Sequence, residues 1–242
     1  MKAIAFDIYG TLLNIEIDEN RLNAYNFLSQ WLSCHGLSIT PVDLQRQYKM
    51  LCQREMSSIS NQHPDIEIGR VFSAIIQNIA GSGLEEESPF VEEFALLFRM
   101  VTTVHLLAYP GVEAMLTTLG AKTRLGVISN GQRLFTIREL KRLNWLHFFN
   151  TIVFSSDIQA SKPNSMIFRH FLDLMKAKAE DVVFVGDNIE ADVCGAQQIG
   201  MKTIWLNRDG HSCRHNQCAI LPDVEISHLD WDRLTEEILK ML

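Results

Sequence analysis

Five short runs rich in β-branched and other apolar residues recur along the chain, at Ala3–Phe6, Leu125–Ile128, Ile152–Phe154, Val182–Val185 and Thr203–Leu206. Each is followed by a turn signal and then by a helical pattern. Strands separated by helices cannot be joined as tight hairpins, so they pair in parallel, and their unbroken apolar character means that both sheet faces are covered. The fold class this predicts is α/β, with a Rossmann-like parallel sheet flanked by helices. A chain of 242 residues, 47% of them hydrophobic, is long enough to bury such a core.

Between Leu13 and about Ala108 the strand pattern disappears. Ile68, Val71, Phe72, Ile75, Ile76 and Ile79 follow the spacing of one apolar helix face. Similar stripes run through Leu22, Tyr25, Leu28 and Leu32, and through Phe90, Phe94, Leu97, Phe98 and Val101, while Thr40-Pro41 reads as a capped helix start. The aromatic stripes read as core packing. The predicted division is a Rossmann-like core of residues 1–13 and 109–242, interrupted by an inserted α-helical cap domain at 14–108, with Tyr109-Pro110-Gly111 as the return hinge.

The net charge of -7 is spread along the sequence, and no run of Lys and Arg marks a face for nucleic acid or for a membrane. An anionic substrate therefore needs locally placed positive charge. The apolar run after Met1 and Lys2 is too brief for a signal-peptide core or a membrane span, which predicts a cytoplasmic protein. Five cysteines, an odd number at irregular spacing, fit a reducing compartment better than a disulfide framework. His211, Cys213, His215 and Cys218 are ligands of the kind zinc uses, but their spacing matches no common finger, and they read as a solvated loop.

The polar residues that need explaining sit where apolar strands stop, the edge at which open α/β sheets bind ligands. Four such places stand out. Phe6-Asp7-Ile8-Tyr9-Gly10-Thr11 puts an acid at a strand end before a glycine turn, where it could also bond turn amides. Val127-Ile128-Ser129-Asn130-Gly131 offers a hydroxyl and amides to an oxyanion, and is equally an ordinary turn sequence. Ser161-Lys162-Pro163 places a lysine before a proline-fixed turn. Val185-Gly186-Asp187-Asn188-Ile189-Glu190-Ala191-Asp192 carries two carboxylates five apart, which suit magnesium or the capping of a helix N-terminus.

Taken in order, these four motifs resemble those of the haloacid dehalogenase superfamily, and the resemblance covers nearly the whole chain. It implies a sheet in which the first strand lies beside the fourth, bringing Asp7 and Asp187 together. It implies a hydrolase in which Asp7 is the nucleophile and a metal ligand, and Tyr9 offers a backbone carbonyl to the metal. Thr11, Ser129 and Asn130 then bind the transferred group, Lys162 clamps its charge, and Asp187 and Asp192 complete a Mg2+ site. The chemistry wants these types, because a carboxylate attacking a phosphate dianion needs cations to neutralise charge.

One position departs from the phosphatase pattern. Phosphatases of this family usually have a second Asp two residues after the nucleophile, as acid and base, and here that position is Tyr9, assigned to the catalytic set in its place. The Asp-x-Tyr-Gly-Thr form is similar to the family's metal-independent 2-haloacid dehalogenases, which act through an aspartyl ester. Those enzymes have serine and asparagine where this chain has Asp187 and Ile189, Phe168 stands where they often have Tyr, and their cap arginine would be Arg54 or Arg46. The expectation is a Mg2+-dependent phosphatase of a small phosphorylated metabolite, a phosphate ester, acting through an aspartyl-phosphate. The alternatives are a 2-haloacid dehalogenase and a low-activity binding or regulatory protein.

Overall fold

A computed structural model describes residues 2–81, 88–208, 221–227 and 230–242. The His211–Cys218 segment lies outside them. Six strands form a wholly parallel sheet: β1 (Ala3–Phe6), β4 (Arg124–Ser129), β5 (Phe149–Phe154), β6 (Val182–Gly186), β7 (Lys202–Leu206) and β8 (Val224–Ile226). Their spatial order is β5-β4-β1-β6-β7-β8. The chain builds one half of the sheet outward from β1 and then returns to β1's other edge for the second half. That reversal is the switch point where a crevice opens.

Register decides what meets there. Phe6 lies opposite both Val127 and Val185, so the residues that follow the three strands emerge level with one another. Asp7 then continues the ladder, donating its N–H to the Val185 carbonyl at 2.9 Å. The period-2 alternation of β1 sends Ile4 and Phe6 to one face and Ala3 and Ala5 to the other. The first face is covered by α5 (Val112–Gly120) and α10 (Trp231–Met241), through Leu116, Leu119, Leu234 and Ile238. The second is covered by α8 (Ser165–Met175), through Ile167, Phe168 and Phe171.

Among the described residues the stretch from Leu13 to Ala108 holds four helices, α1 (Leu22–Cys34), α2 (Pro41–Ser58), α3 (Ile68–Ala80) and α4 (Pro89–Thr102), with a separate apolar cluster. The periodic stripes become its packed faces. Phe72, fully buried, touches the rings of Tyr48, Phe94 and Phe98 at centroid distances of 5.8, 5.7 and 5.1 Å. Burying one such side chain stabilises by about 1.5–3 kcal/mol. Thr40 caps α2, accepting the Asp43 N–H at 3.1 Å with Pro41 at the first helical position, and α3 ends at Gly81 with φ of 81°. Leu22 departs from its stripe and is exposed.

This stretch is not strand-free, as the sequence suggested. Leu13–Ile17 (β2) and Thr103–Ala108 (β3) pair antiparallel, Leu13 opposite Ala108, and carry the chain out and back side by side. Both strands are short and largely solvent-facing, so neither shows the buried apolar run that marked the others. The cysteines also differ from expectation: Cys34 and Cys52 are free, but Cys194 is disulfide-bonded. No helix among the described residues is long and apolar enough to cross a membrane.

Candidate active site

At the carboxyl edge of the sheet a cavity of about 180 Å3 is lined by Asp7, Tyr9, Ser129, Asn130, Lys162, Asp187, Asn188, Ala191 and Asp192. Residues from all four motifs meet there because β4, β1 and β6 are adjacent and in register. The fourth motif leaves β6 through a π-helical turn, Ile189–Cys194, a form frequent at functional sites. Asn188 begins that turn by accepting from the N–H groups of Glu190 and Ala191, at 3.1 and 2.8 Å. Its side chain therefore caps the turn, while Asp192 points inward.

Lys162 lies between two carboxylates. Its Nζ donates to Asp7 Oδ1 and Asp192 Oδ1, each at 2.6 Å, with all three side chains buried. The Lys162 backbone is held by Asn130, whose Oδ1 accepts from the Lys162 N–H at 2.7 Å and whose Nδ2 donates to its carbonyl at 3.0 Å. Asn130 thus positions the lysine through a two-point clasp. Asp187 accepts from Thr11 Oγ1 at 3.1 Å, and Arg208 Nη2 lies 3.6 Å from its other oxygen. Ser129 Oγ is buried with no hydrogen-bond partner among the described residues. A buried hydroxyl at an open strand end is free to donate to a ligand oxygen or a water.

Two glycines make the close approaches feasible. A Cβ on Gly10, whose φ is 88°, would lie 2.3 Å from Asp187 Oδ2, and one on Gly186 would lie 2.3 Å from Asp192 Oδ2. Neither position can carry a side chain without moving a carboxylate.

The electrostatics of the cluster are one-sided. Oxygens of Asp7, Asp187 and Asp192 lie within 4.8 Å of one another. Among the described residues Lys162 is hydrogen-bonded to two of these carboxylates and Arg208 is paired with the third at 3.6 Å, so three negative charges face two positive ones. Burial pushes the Asp192 carboxyl up to about 7, against the pull of Lys162. Burial and then the Asp7 charge also raise Asp187. Burial works against the Lys162 ammonium, but Asp192 and Asp7 outweigh it and raise its pKa. Burial is the largest cause for both carboxyls, with the Asp7 charge adding to it. The pocket's donors are hard oxygens, the type that magnesium takes. Both Asp192 oxygens are already engaged, by Lys162 and by the Asn188 N–H at 3.0 Å, so Asp7 and Asp187 are the freer pair.

Tyr9 behaves unlike the other motif residues. Tyr9 lines the cavity, but its hydroxyl meets a second polar group on α4 and α6 (Arg133–Arg142). The hydroxyl donates to Glu139 Oε2, lies 2.7 Å from Thr136 Oγ1 and accepts from Arg99 Nη2 at 3.3 Å. Burial foremost, and then the Glu139 charge, raises the phenol far above its ordinary range.

Sequence reasoning did not find Arg99, Thr136 or Glu139. The arginine it named as Arg54 or Arg46 is elsewhere: Arg54 is exposed and Arg46 pairs with Asp43 at the surface. The one available signal was Arg99 interrupting the apolar pattern of α4. Gln132 was also missed. It joins the end of β4 to the segment before α3, accepting from the Ile68 N–H and donating to the Ile66 carbonyl, both at 2.9 Å.

A profile described as haloacid dehalogenase-like hydrolase matches residues 44–206. The chain belongs to this family. Among similar proteins, the glyceraldehyde 3-phosphate phosphatase of Methanothermobacter thermautotrophicus is 32% identical over 213 residues, covering 86% of this chain and 87% of the relative. The N-acylneuraminate-9-phosphatase of Mus musculus is 27% identical over 219 residues, with 87% and 84% covered. Among solved structures, a 2-haloacid dehalogenase from Pseudomonas syringae pv. tomato aligns with a TM-score of 0.70 and 25% identity, over 99% of this chain and 98% of that one. This haloacid dehalogenase-like chain is thus a hydrolase by family, similar to phosphatases in sequence and to a dehalogenase in shape.

Proposed function

We propose that this hydrolase is a magnesium-dependent phosphatase of a small phosphorylated metabolite, with Asp7 as nucleophile. The observation that carries the reading is the placing of Asp187 beside Asp7, in a pocket whose three carboxylates outnumber its cations, Lys162 and Arg208. A second carboxylate there repels any anionic substrate unless a cation is bound, and Asp7 and Asp187 are the residues that would hold it. When bound, magnesium supplies charge neutralisation for the phosphoryl oxygens. Both sequence relatives reported above are phosphatases of small metabolites.

Asp7 attacks phosphorus and forms an aspartyl-phosphate, splitting one difficult hydrolysis into two steps. Lys162, held by Asn130 and Asp192, presents a fixed cation beside the nucleophile, and the unpartnered Ser129 hydroxyl can donate to a phosphoryl oxygen. Thr11 orients Asp187. The four helices between β2 and β3 act as a cap domain over this edge, joined to the core by the β2–β3 ribbon.

The similarity in shape to a 2-haloacid dehalogenase, together with Tyr9, favours a second reading, displacement of halide from carbon by Asp7. A panel of phosphorylated metabolites and small 2-haloacids, assayed with magnesium and with chelator, separates them. Phosphate release that disappears with chelator is the expected result. Halide release that survives chelation would replace the proposal with the dehalogenase reading.

A further inference from the structure

Lys162 stands at the end of a loop whose backbone the core holds only in part. The chain leaves β5 through a single helical turn, α7 (Ser155–Ile158), and runs through Gln159, Ala160 and Ser161 in irregular backbone before it reaches the lysine. Backbone polar groups in such a stretch need partners as much as those of a strand do. The Ala160 N–H finds the Ser155 carbonyl at 3.2 Å. Its neighbours find theirs in the helical insertion. The Gln159 carbonyl accepts from Asn61 Nδ2 at 2.7 Å and from the Asp65 N–H at 3.3 Å. Ser161 donates to the His63 carbonyl from its N–H at 2.9 Å and from its hydroxyl at 3.2 Å. Pro64 lies opposite the fully buried Ala160 as an antiparallel bridge. The Asp65 carboxylate also accepts from the buried Ser155 hydroxyl at the start of α7, and Gln132 fixes the same segment at Ile66 and Ile68. Segment 61–68, between α2 and α3, is thus bonded to both ends of the loop that delivers Lys162.

We infer that segment 61–68 is a positioning element for Lys162, with Asn61 and Asp65 as its positioning side chains, so that the cap acts on the reaction through the backbone that carries the lysine. The inference rests on the proposed function, in which Lys162 is the fixed cation beside Asp7. Lys162 Nζ lies 2.6 Å from an oxygen of each of two carboxylates, and a misplacement of about 1 Å in such a group costs about 100-fold in rate. Asn130 clasps the lysine's own peptide groups from the core side. Segment 61–68 holds the three residues before it from the cap side. The clasp alone leaves the Gln159 carbonyl and the Ser161 N–H to water, and the loop is then free to carry the ammonium away from Asp7.

The test is a double-mutant cycle in the full chain, with magnesium and 4-nitrophenyl phosphate, joined to a measurement that needs no substrate. Asn61→Ala should lower kcat about tenfold and leave KM within about twofold. Asp65→Ala should do the same, whereas Asp65→Asn, whose amide oxygen still accepts from Ser155, should stay within about twofold of wild type. In a Lys162→Ala background, Asn61→Ala should cost less than about twofold more, because a residue that acts through the lysine has nothing left to position. A fall of about tenfold in both backgrounds would overturn the inference, since a merely structural role lowers both alike. Amide hydrogen exchange is the second measurement. Residues 155–164 should exchange at least about tenfold faster in Asn61→Ala than in wild type, while β6 exchanges at the wild-type rate. Exchange in residues 155–164 equal to that of wild type overturns the inference by itself. Failure of the phosphatase reading looks different: the wild-type chain leaves 4-nitrophenyl phosphate intact, or Lys162→Ala hydrolyses it as fast as wild type, and exchange still decides whether segment 61–68 holds the loop.

Discussion

Two polar clusters, one holding the Tyr9 hydroxyl and one around Asp7, are built on opposite principles. Arg99, Glu139, Thr136 and the Tyr9 hydroxyl form a closed set: Arg99 Nε donates to Glu139 Oε1 at 2.8 Å, and one positive charge meets one negative. Asp7, Asp187, Asp192 and Lys162 form an open set, with more negative charge than positive and an orphan hydroxyl nearby. A closed set has nothing left to offer a ligand and holds elements together, here α4 to α6 and to the turn after β1. An open set is held against its own repulsion by the surrounding sheet, and its deficit is what a ligand can satisfy. On the proposed reading, stability falls to the closed set and chemistry to the open one.

If that division is right, the two clusters respond to mutation in different currencies. The largest effect expected is loss of all measurable hydrolysis in Asp7→Asn, with thermal unfolding unchanged or shifted upward because a repulsive carboxylate is gone. Residual turnover near wild type in a steady-state assay would break the comparison at its strongest point.

Next in size is Arg99→Met in the closed set. It strands Glu139, whose side chain is 11% exposed, and removing one partner of a largely buried pair costs about 3–5 kcal/mol. Denaturant titration should show that loss, and Arg99→Met with Glu139→Gln together should recover part of it. A variant as stable as wild type would mean that the pair is ornamental.

Lys162→Ala is expected to lower kcat/KM by about 3 kcal/mol of transition-state stabilisation, as for loss of one preorganised charge stabiliser. Chelator-stripped protein should also be less stable in this variant, since Asp7 and Asp192 then face each other without a cation. The smallest effect is ligand linkage. Magnesium at about 100 times its dissociation constant should add about 2.7 kcal/mol to wild-type stability. Asp187→Asn should remove most of that increment, while Glu139→Gln should leave it intact, read by thermal shift with and without the ion.

The open set was legible in the sequence and the closed one was not. Asp7, Ser129 and Asp187 each end a run of apolar strand residues, and a polar side chain in that place is conspicuous. The strands themselves declared the sheet because burial on both faces makes them continuous apolar runs. β8, three residues with a glutamate in the middle, and the solvent-facing β2 and β3 carry no such mark. Arg99 and Glu139 are 40 residues apart and meet only through the packing of α4 on α6. In sequence, one is an isolated charge in an apolar helix and the other is one charge among several in Arg138-Glu139-Leu140-Lys141-Arg142. Nothing local distinguishes them from surface residues. Lys162 was readable as a candidate from its motif, but its burial between two carboxylates came only from the fold.

Gly10 and Gly186 bear on any attempt to move this site. Each is a bare backbone position whose missing Cβ volume is occupied by a carboxylate from the fourth motif. A designer who copied only the acidic residues onto the strand ends of another parallel sheet would find Asp187 and Asp192 displaced by the first ordinary residue at either position. The portable object is a pair of voids as much as a set of charges, and a host sheet is suitable when it has glycine at both strand ends before the acids are added.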